Sequence, residues 1–325
     1  IHGLTQKQVA DLLGLYINHY WKIENGLVKI NVKFLNKLAN ILNFKYEAFV
    51  KNNVIAVFPE VIFPEKSSIK LCELLGYIIG DGGLAKSNRG LCLMLTDKNK
   101  QILSYYNDLI KELSGCNCRM FEYSHQKSYG LVIPALVARF FLLNFPESVL
   151  KSQKRRVPRR LYDVPLEEIS GFLRGFFDAE GTIGNHSVDA CSANKLLLYQ
   201  VDSLLKKFGI FSTLSIDQLE KTKQKYRHKI LLYGENLRAY EKNINFNHKL
   251  KELKLRKYVN KLSIKRKSKI KRFGDFIVTN VVSVNDIKSD VDYLYDLAVP
   301  GYENYFADQL VVHNSHWPWR LGREA

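Results

Sequence analysis

The spacing of apolar positions divides the chain before any composition is considered. Val9, Leu12 and Leu13 line one face of a helix that Thr5 starts, with Gln8 three residues on completing a capping box, and that Gly14 stops. A second helix is predicted over about 17–24, ended by Glu24-Asn25-Gly26, and "NVKFLNKLANILNF" predicts a third. Residues 54–68 hold two prolines and read as a linker. Two halves of similar layout follow. Each opens with a strongly apolar helix, "IKLCELLGYIIGDGG" (69–83) and "EISGFLRGFFDAEGT" (168–182). Each continues with strand-like alternation, "LCLMLTD" and "SVDACSA", and then an amphipathic helix, "NKQILSYYNDLIKELSG" and "NKLLLYQVDSLLKKFGI". The pattern is an αββα-like repeat of about a hundred residues, Asp81 and Glu180 being 99 apart. Beyond it, "DFIVTNVVSVNDI" and "DYLYDLAVPGYENYFADQLVVHN" predict short strands and turns.

A chain of 325 residues implies two or three domains, and 46% hydrophobic with 25% charged residues places it among globular proteins. No apolar run reaches the roughly eighteen residues of a membrane span, and "IHGLTQKQ" lacks the features of a signal peptide. Five cysteines form no metal-ligand quartet, and their odd number fits a reducing cytoplasm. Charge changes the picture more. The excess of basic over acidic residues is 17, and two runs hold all of it. "KSQKRRVPRR" (151–160) has six basic residues and no acid; 249–272 has twelve and one acid, Glu252. A single basic run is usually a solvated face. Two that carry the whole imbalance point to nucleic acid, whose counterions are released on contact.

Small residues recur at every fourth position of the two apolar helices: Cys72, Gly76 and Gly80, then Gly171, Gly175 and Ala179. Such ridges let two helices approach backbone to backbone. Asp81 and Glu180 end these helices, each before a glycine suited to a C-cap. A carboxylate there opposes the helix dipole at a cost of roughly 0.3–1 kcal/mol. Two of them side by side make sense around a divalent cation with a preference for oxygen, Mg²⁺ or a similar ion.

These residues resemble the two-repeat LAGLIDADG homing endonucleases, over about 69–262. The resemblance implies an α+β fold of two pseudo-symmetric αββαββα repeats whose sheets straddle double-stranded DNA. It implies Asp81 and Glu180 as metal ligands, and Lys154 in "KRRVP" and Lys249 in "NINFNHK" as active-site lysines, although Asn245 stands where the family usually has glycine. The basic residues Arg155, Arg156, Arg159 and Arg160 are expected on DNA. "LTQKQVADLLGLYINHYWKIENG" resembles a Cro/repressor-type helix-turn-helix, in which the second helix meets DNA; Asn18, His19 and Lys22 are its candidate contacts. Tyr16 occupies the usual Ser/Thr cap position, and Ile17 and Trp21 stand at positions that normally face bases.

"YLYDLAVPGYENYFADQLVVHNS" resembles the carboxy-terminal splicing motifs of inteins, which have the all-β Hint fold. That resemblance implies that Asn314 cyclises and cuts the bond to Ser315, that His313 assists as an acid, that Ser315 accepts the upstream acyl group, and that Asp296 tunes the junction. The upstream splicing half is expected as a missing partner, together with the exteins of a host protein. The expected organisation is helix-turn-helix 1–53, truncated at its start; linker 54–68; repeats 69–155 and 156–262; splicing segment 263–314; extein 315–325. The chain is expected to be a monomeric, cytoplasmic fragment. The alternatives are a splicing element with a lapsed nuclease and a DNA-binding regulator without catalysis.

Overall fold

The computed structural model describes residues 3–28, 30, 32–43, 63–87, 90–124, 127–184, 186–218, 226–262, 271–273, 276–278, 283–285, 304–307 and 310–313. It divides into two compact units, Ile1–Glu60 and Val61–Ala325.

The first unit contains helices α1 (Gln6–Leu13), α2 (Ile17–Glu24) and α3 (Val32–Ile41). Thr5 and Gln8 form the reciprocal capping box, and Gly14 ends α1 in the left-handed region at φ 71°. Val9, Ala10, Leu13 and Tyr20 form its core, with Phe34 and Leu38 packed against them. Tyr16 caps α2 without a side-chain hydrogen bond and is 88% exposed.

In the second unit the described elements repeat. The first half runs α4 (Ile69–Asp81), β1 (Gly82–Ser87), β2 (Gly90–Asp97), α5 (Lys100–Ser114), β3 (Arg119–Tyr123), β4 (Ser128–Ile133) and α6 (Ala135–Asn144). The second runs α7 (Leu166–Glu180), β5 (Gly181–Ile183), β6 (Ser187–Ser192), α8 (Lys195–Lys206), β7 (Thr213–Gln218), β8 (Tyr226–Tyr233) and α9 (Glu235–Asn243), with α10 (Lys249–Lys261) appended. Both sheets are antiparallel and share one topology, β1-β2-β4-β3 and β5-β6-β8-β7. Each half is therefore αββαββα. Two small hairpins follow, β9 (Lys271–Phe273) with β10 (Phe276–Val278), and β11 (Asn304–Ala307) with β12 (Leu310–His313). Among the described residues no helix is long and apolar enough to cross a membrane.

One core serves both halves, because α4 and α7 pack side by side in its centre. Their contact is backbone on backbone. A Cβ on Gly76 would overlap the Phe172 carbonyl oxygen, and one on Gly175 would overlap that of Glu73. Further along, a Cβ on Gly171 would lie 2.6 Å from the Ile69 oxygen, and one on Gly80 would overlap Ala179. The partners advance together along both helices, so the helices are parallel and end together. Gly82 and Gly181 do not take the left-handed C-cap conformation: their φ values are −73° and −75°. Glycine is required there for space, since a Cβ would overlap the carbonyl oxygen of Ile78 or Phe177.

Polar groups cross the same interface. The buried Glu73 pairs with Arg174 at 2.8 Å, takes 2.8 Å from Asn247 Nδ2, and accepts from the Tyr105 hydroxyl. The fully buried Asp178 accepts from Tyr106 Oη at 3.2 Å and from the backbone N–H groups of Asn247 and His248, each at 3.1 Å. Both carboxylates thus hold the turn between α9 and α10. That turn passes through Asn245 at φ 59°, a left-handed position that asparagine tolerates.

Candidate active site

Because α4 and α7 end side by side, Asp81 and Glu180 meet at the start of β1 and β5. Both are half-buried. Burial, then the neighbouring Asp97, raises the Asp81 carboxyl to about 6, while Lys251 and Arg155 oppose the rise. Burial, then Asp81 itself, raises Glu180 to about 8, again against Arg155 and Lys251. Two carboxyl groups raised by burial and by a neighbouring acid form a site with a deficit of positive charge.

Two cations partly fill that deficit, one from each half. Arg155, only 8% exposed, donates to the carbonyls of Ile79 (2.7 Å), Gly80 (2.8 Å) and Leu150 (3.0 Å), and to that of Gly82. It thereby ties down the carbonyls that end α4, where the helix dipole favours a cation. Lys251 does the same for α7, donating to Asp178 O at 2.5 Å and Phe177 O at 3.3 Å. Burial lowers its pKa, while Asp178, Asp97, Asp81 and Glu180 pull the other way. Each cation contacts the carbonyl two residues before its helix's terminal acid, so Arg155 and Lys251 are pseudo-symmetric mates.

The structure places the expected basic residues differently from one another. Arg155 is buried, and four of the five N–H groups of its guanidinium are spent on backbone carbonyls. Arg156 is half-buried, with Nη1 donating 3.2 Å to Asn194 Oδ1 and 2.7 Å to the Arg155 carbonyl. Lys154 is exposed and ends a short 3-10 turn, Ser152–Lys154, one residue before the arginine that enters the site. Lys249 is 68% exposed by side chain and pairs with Glu252 at 2.6 Å. Lys251 reaches the site instead, because α10 starts at Lys249 and turns position 251 toward α7. Arg159 and Arg160 are exposed on the 3-10 turn Arg159–Tyr162. Asp97, which holds Tyr77 Oη at 3.0 Å and the Asn99 N–H at 2.7 Å, is a third acid near Asp81. The strand motif ending at Asp97 was its only trace in the sequence.

If the Arg155 clamp stabilises the end of α4, Arg155→Lys should lower stability by about 2–3 kcal/mol, since an ammonium cannot serve four carbonyls. Arg159→Lys, on the exposed turn, should stay within about 0.5 kcal/mol, and thermal melts compare the two.

Asp81 and Glu180 suit a hard divalent cation: both offer oxygen, and the Asp81 carboxylate helps raise Glu180 where a positive ion would relieve it. Among the described residues no group of three or more His, Cys, Asp or Glu is gathered as a metal site. In the first unit Asn18, His19 and Lys22 are exposed on α2, beside the exposed Ile17 and Trp21. Of the splicing residues, His313 ends β12 opposite Asn304. Asp296, Asn314 and Ser315 lie outside the described residues.

Residues 167–245 match the family model of a LAGLIDADG-like domain. Residues 2–49 match that of a helix-turn-helix. The chain is similar to the glutamine–fructose-6-phosphate aminotransferase of Methanocaldococcus jannaschii, 26% identical over 97% of this chain and 34% of that protein. It is also similar to a DNA polymerase of Thermococcus hydrothermalis, 26% identical over 76% of this chain and 15% of the polymerase. It therefore spans about a third of the first relative and less of the second. Among solved structures, the chain is similar to variants of the homing endonuclease I-DmoI, with 20% identity, TM-score 0.44, and coverage of 55% of this chain and 92% of that one. Others show that enzyme with DNA and Mn or Ca. The LAGLIDADG-like match thus covers the second of the two repeats.

Proposed function

We propose that the second unit is a divalent-metal-dependent, site-specific endonuclease for double-stranded DNA, and that an intein carries it. The observation behind the first part is the acid pair: Asp81 and Glu180, brought together by two parallel helices and flanked by Arg155 and Lys251. In this reading the two carboxylates would hold the cation, which would neutralise developing charge at a phosphodiester. The chain's own residues do the rest. Arg155 and Lys251 hold the helix ends, and so fix the separation of the acids. Lys251 uses two of its three N–H groups on carbonyls and keeps one for a phosphate oxygen. Arg159, Arg160 and the exposed Lys254 and Lys257 neutralise the flanking backbone, and the helix-turn-helix adds contacts through Asn18, His19 and Lys22.

Two observations support the intein. One is the motif from Tyr293 to Ser315, in which Asn314 would close on its own carbonyl and release Ser315 with help from His313 and Asp296. The other is the pair of relatives: an aminotransferase and a DNA polymerase share no activity by name, yet both match this chain over a fraction of their length. An inserted element common to unrelated hosts explains that.

The test is cleavage of a plasmid library with randomised inserts in Mg²⁺ and in EDTA. Linear product should form with Mg²⁺ alone, and Glu180→Gln should lose at least about a hundredfold in rate. Undiminished cutting by that variant would refute the metal assignment. Wild-type protein that binds duplexes without cutting any would instead be a regulator, or an intein whose nuclease has lapsed.

A further inference from the structure

The two sheets share a topology but not a surface chemistry. Leu93, Leu95, Leu131 and Ile133 line the covered face of the first sheet; Val188, Ala190, Ile230 and Leu232 line that of the second. Alternation puts the intervening residues on the open faces, and the strand registers match them one to one. Met94 lies opposite Val132 as Asp189 lies opposite Leu231. Phe121 lies opposite Gly130 as Ser215 lies opposite Lys229, and Tyr123 opposite Ser128 as Asp217 opposite Arg227.

On the second sheet these positions form cross-strand ion pairs, Lys229–Asp189 at 3.1 Å and Arg227–Asp217 at 3.0 Å. On the first they form an apolar cluster. The rings of Phe121 and Tyr123 meet edge to face at 4.8 Å, and Tyr123 Oη lies 3.4 Å from Met94 Sδ. Phe121 rests on Gly130, where a Cβ would overlap its ring, and the exposed Arg119 sits 5.9 Å from the ring centroid. Met94, Phe121 and Tyr123 are half-buried, and none belongs to the packed core.

We propose that this open face reads one half of a duplex DNA target through thymine C5-methyl groups, while the second sheet reads the other half through its charged pairs. The inference rests on the DNA reading above and deepens it. Continuity supports DNA as the occupant: Gly83, opposite Met94, is two residues past Asp81, so a duplex whose phosphate reaches the acids runs along this face. The positively charged chain and the flanking Arg119 favour a polyanion over a second copy of the same chain. The methyl group follows from chemistry. It is the one apolar group on a base edge in the major groove; any amino or carbonyl group placed against Met94 and Phe121 would lose its hydrogen bond to water.

The test uses binding in Ca²⁺. A duplex selected from a random pool is resynthesised with uracil for thymine in one half or the other, which deletes only methyl groups. Substitution in one half should weaken binding about fourfold per contacted thymine, and substitution in the other half should leave it unchanged. Phe121→Ser, which copies Ser215, and Met94→Thr should each remove that sensitivity, with thermal melts confirming the fold. Equal or absent sensitivity in the two halves overturns the proposal while leaving the DNA reading intact. A pool that yields no bound duplex removes the DNA reading and this inference with it. A concentration-dependent dimer abolished by Phe121→Ser would assign the face to a second copy, and would also overturn the proposal.

Discussion

Gly175→Ala should cost on the order of 3–5 kcal/mol and lower the melting temperature by roughly 10 °C, enough to endanger the second unit. Alanine is the better helix former by about 1 kcal/mol, so an isolated helix would gain from the change. Packing outweighs that gain. The new Cβ would overlap the Glu73 carbonyl oxygen and crowd Tyr77 N at 2.9 Å, both of them backbone atoms that cannot turn aside. The helices would have to separate, and the acids that end them would separate as well. Gly83→Ala is the control, since a Cβ there meets nothing within 4 Å and should change stability by less than about 0.5 kcal/mol. Thermal melts of the two variants give the answer, and equal melting temperatures would show that the helices are not in backbone contact.

The second large effect is a metal-dependent pH profile of stability. Asp81 at about 6 and Glu180 at about 8 ionise above the ordinary carboxylate range. Between about pH 4 and these values the folded chain holds protons that the unfolded chain has already lost. Their contribution is therefore favourable at low pH and is lost as pH rises through 6 to 8, on the order of 3 kcal/mol from Glu180. Asp178, raised to about 6 chiefly by burial, adds to the lower part of this window. In EDTA the melting temperature should fall from pH 5 to pH 9. Mg²⁺ at about a hundred times its dissociation constant should restore about 2.7 kcal/mol at pH 8.5 and little at pH 5, where the carboxyl groups are protonated. Glu180→Gln should flatten the upper part of the profile. A Mg²⁺ response that persists at pH 5 would place the ion elsewhere.

The apolar helices, their glycine ridges and the acids that end them were all legible because each is a local signal: a period of four, a terminal residue, a repeat at 99 residues. The capping box at Thr5 and the stop at Gly14 were legible for the same reason. The two basic runs were legible as charge but not as location. Of "KRRVPRR", Lys154, Arg159 and Arg160 reach solvent, whereas Arg155 turns inward to carbonyls more than seventy residues away. A basic residue among others like it gives no sign of which member will be buried.

The sequence by itself therefore determined two matched halves, a close helix pair and the carboxylates Asp81 and Glu180, since helix period and glycine size act within a few residues. Only the tertiary structure decided which cations complete the site. Arg155 and Lys251 are chosen over Lys154 and Lys249 by the turn at Asn245, by Asp178 and Glu73 holding Asn247, and by the carbonyls left open where α4 and α7 end. Those partners lie far apart along the chain and meet because unpaired carbonyls and carboxylates in a closed interior must find donors.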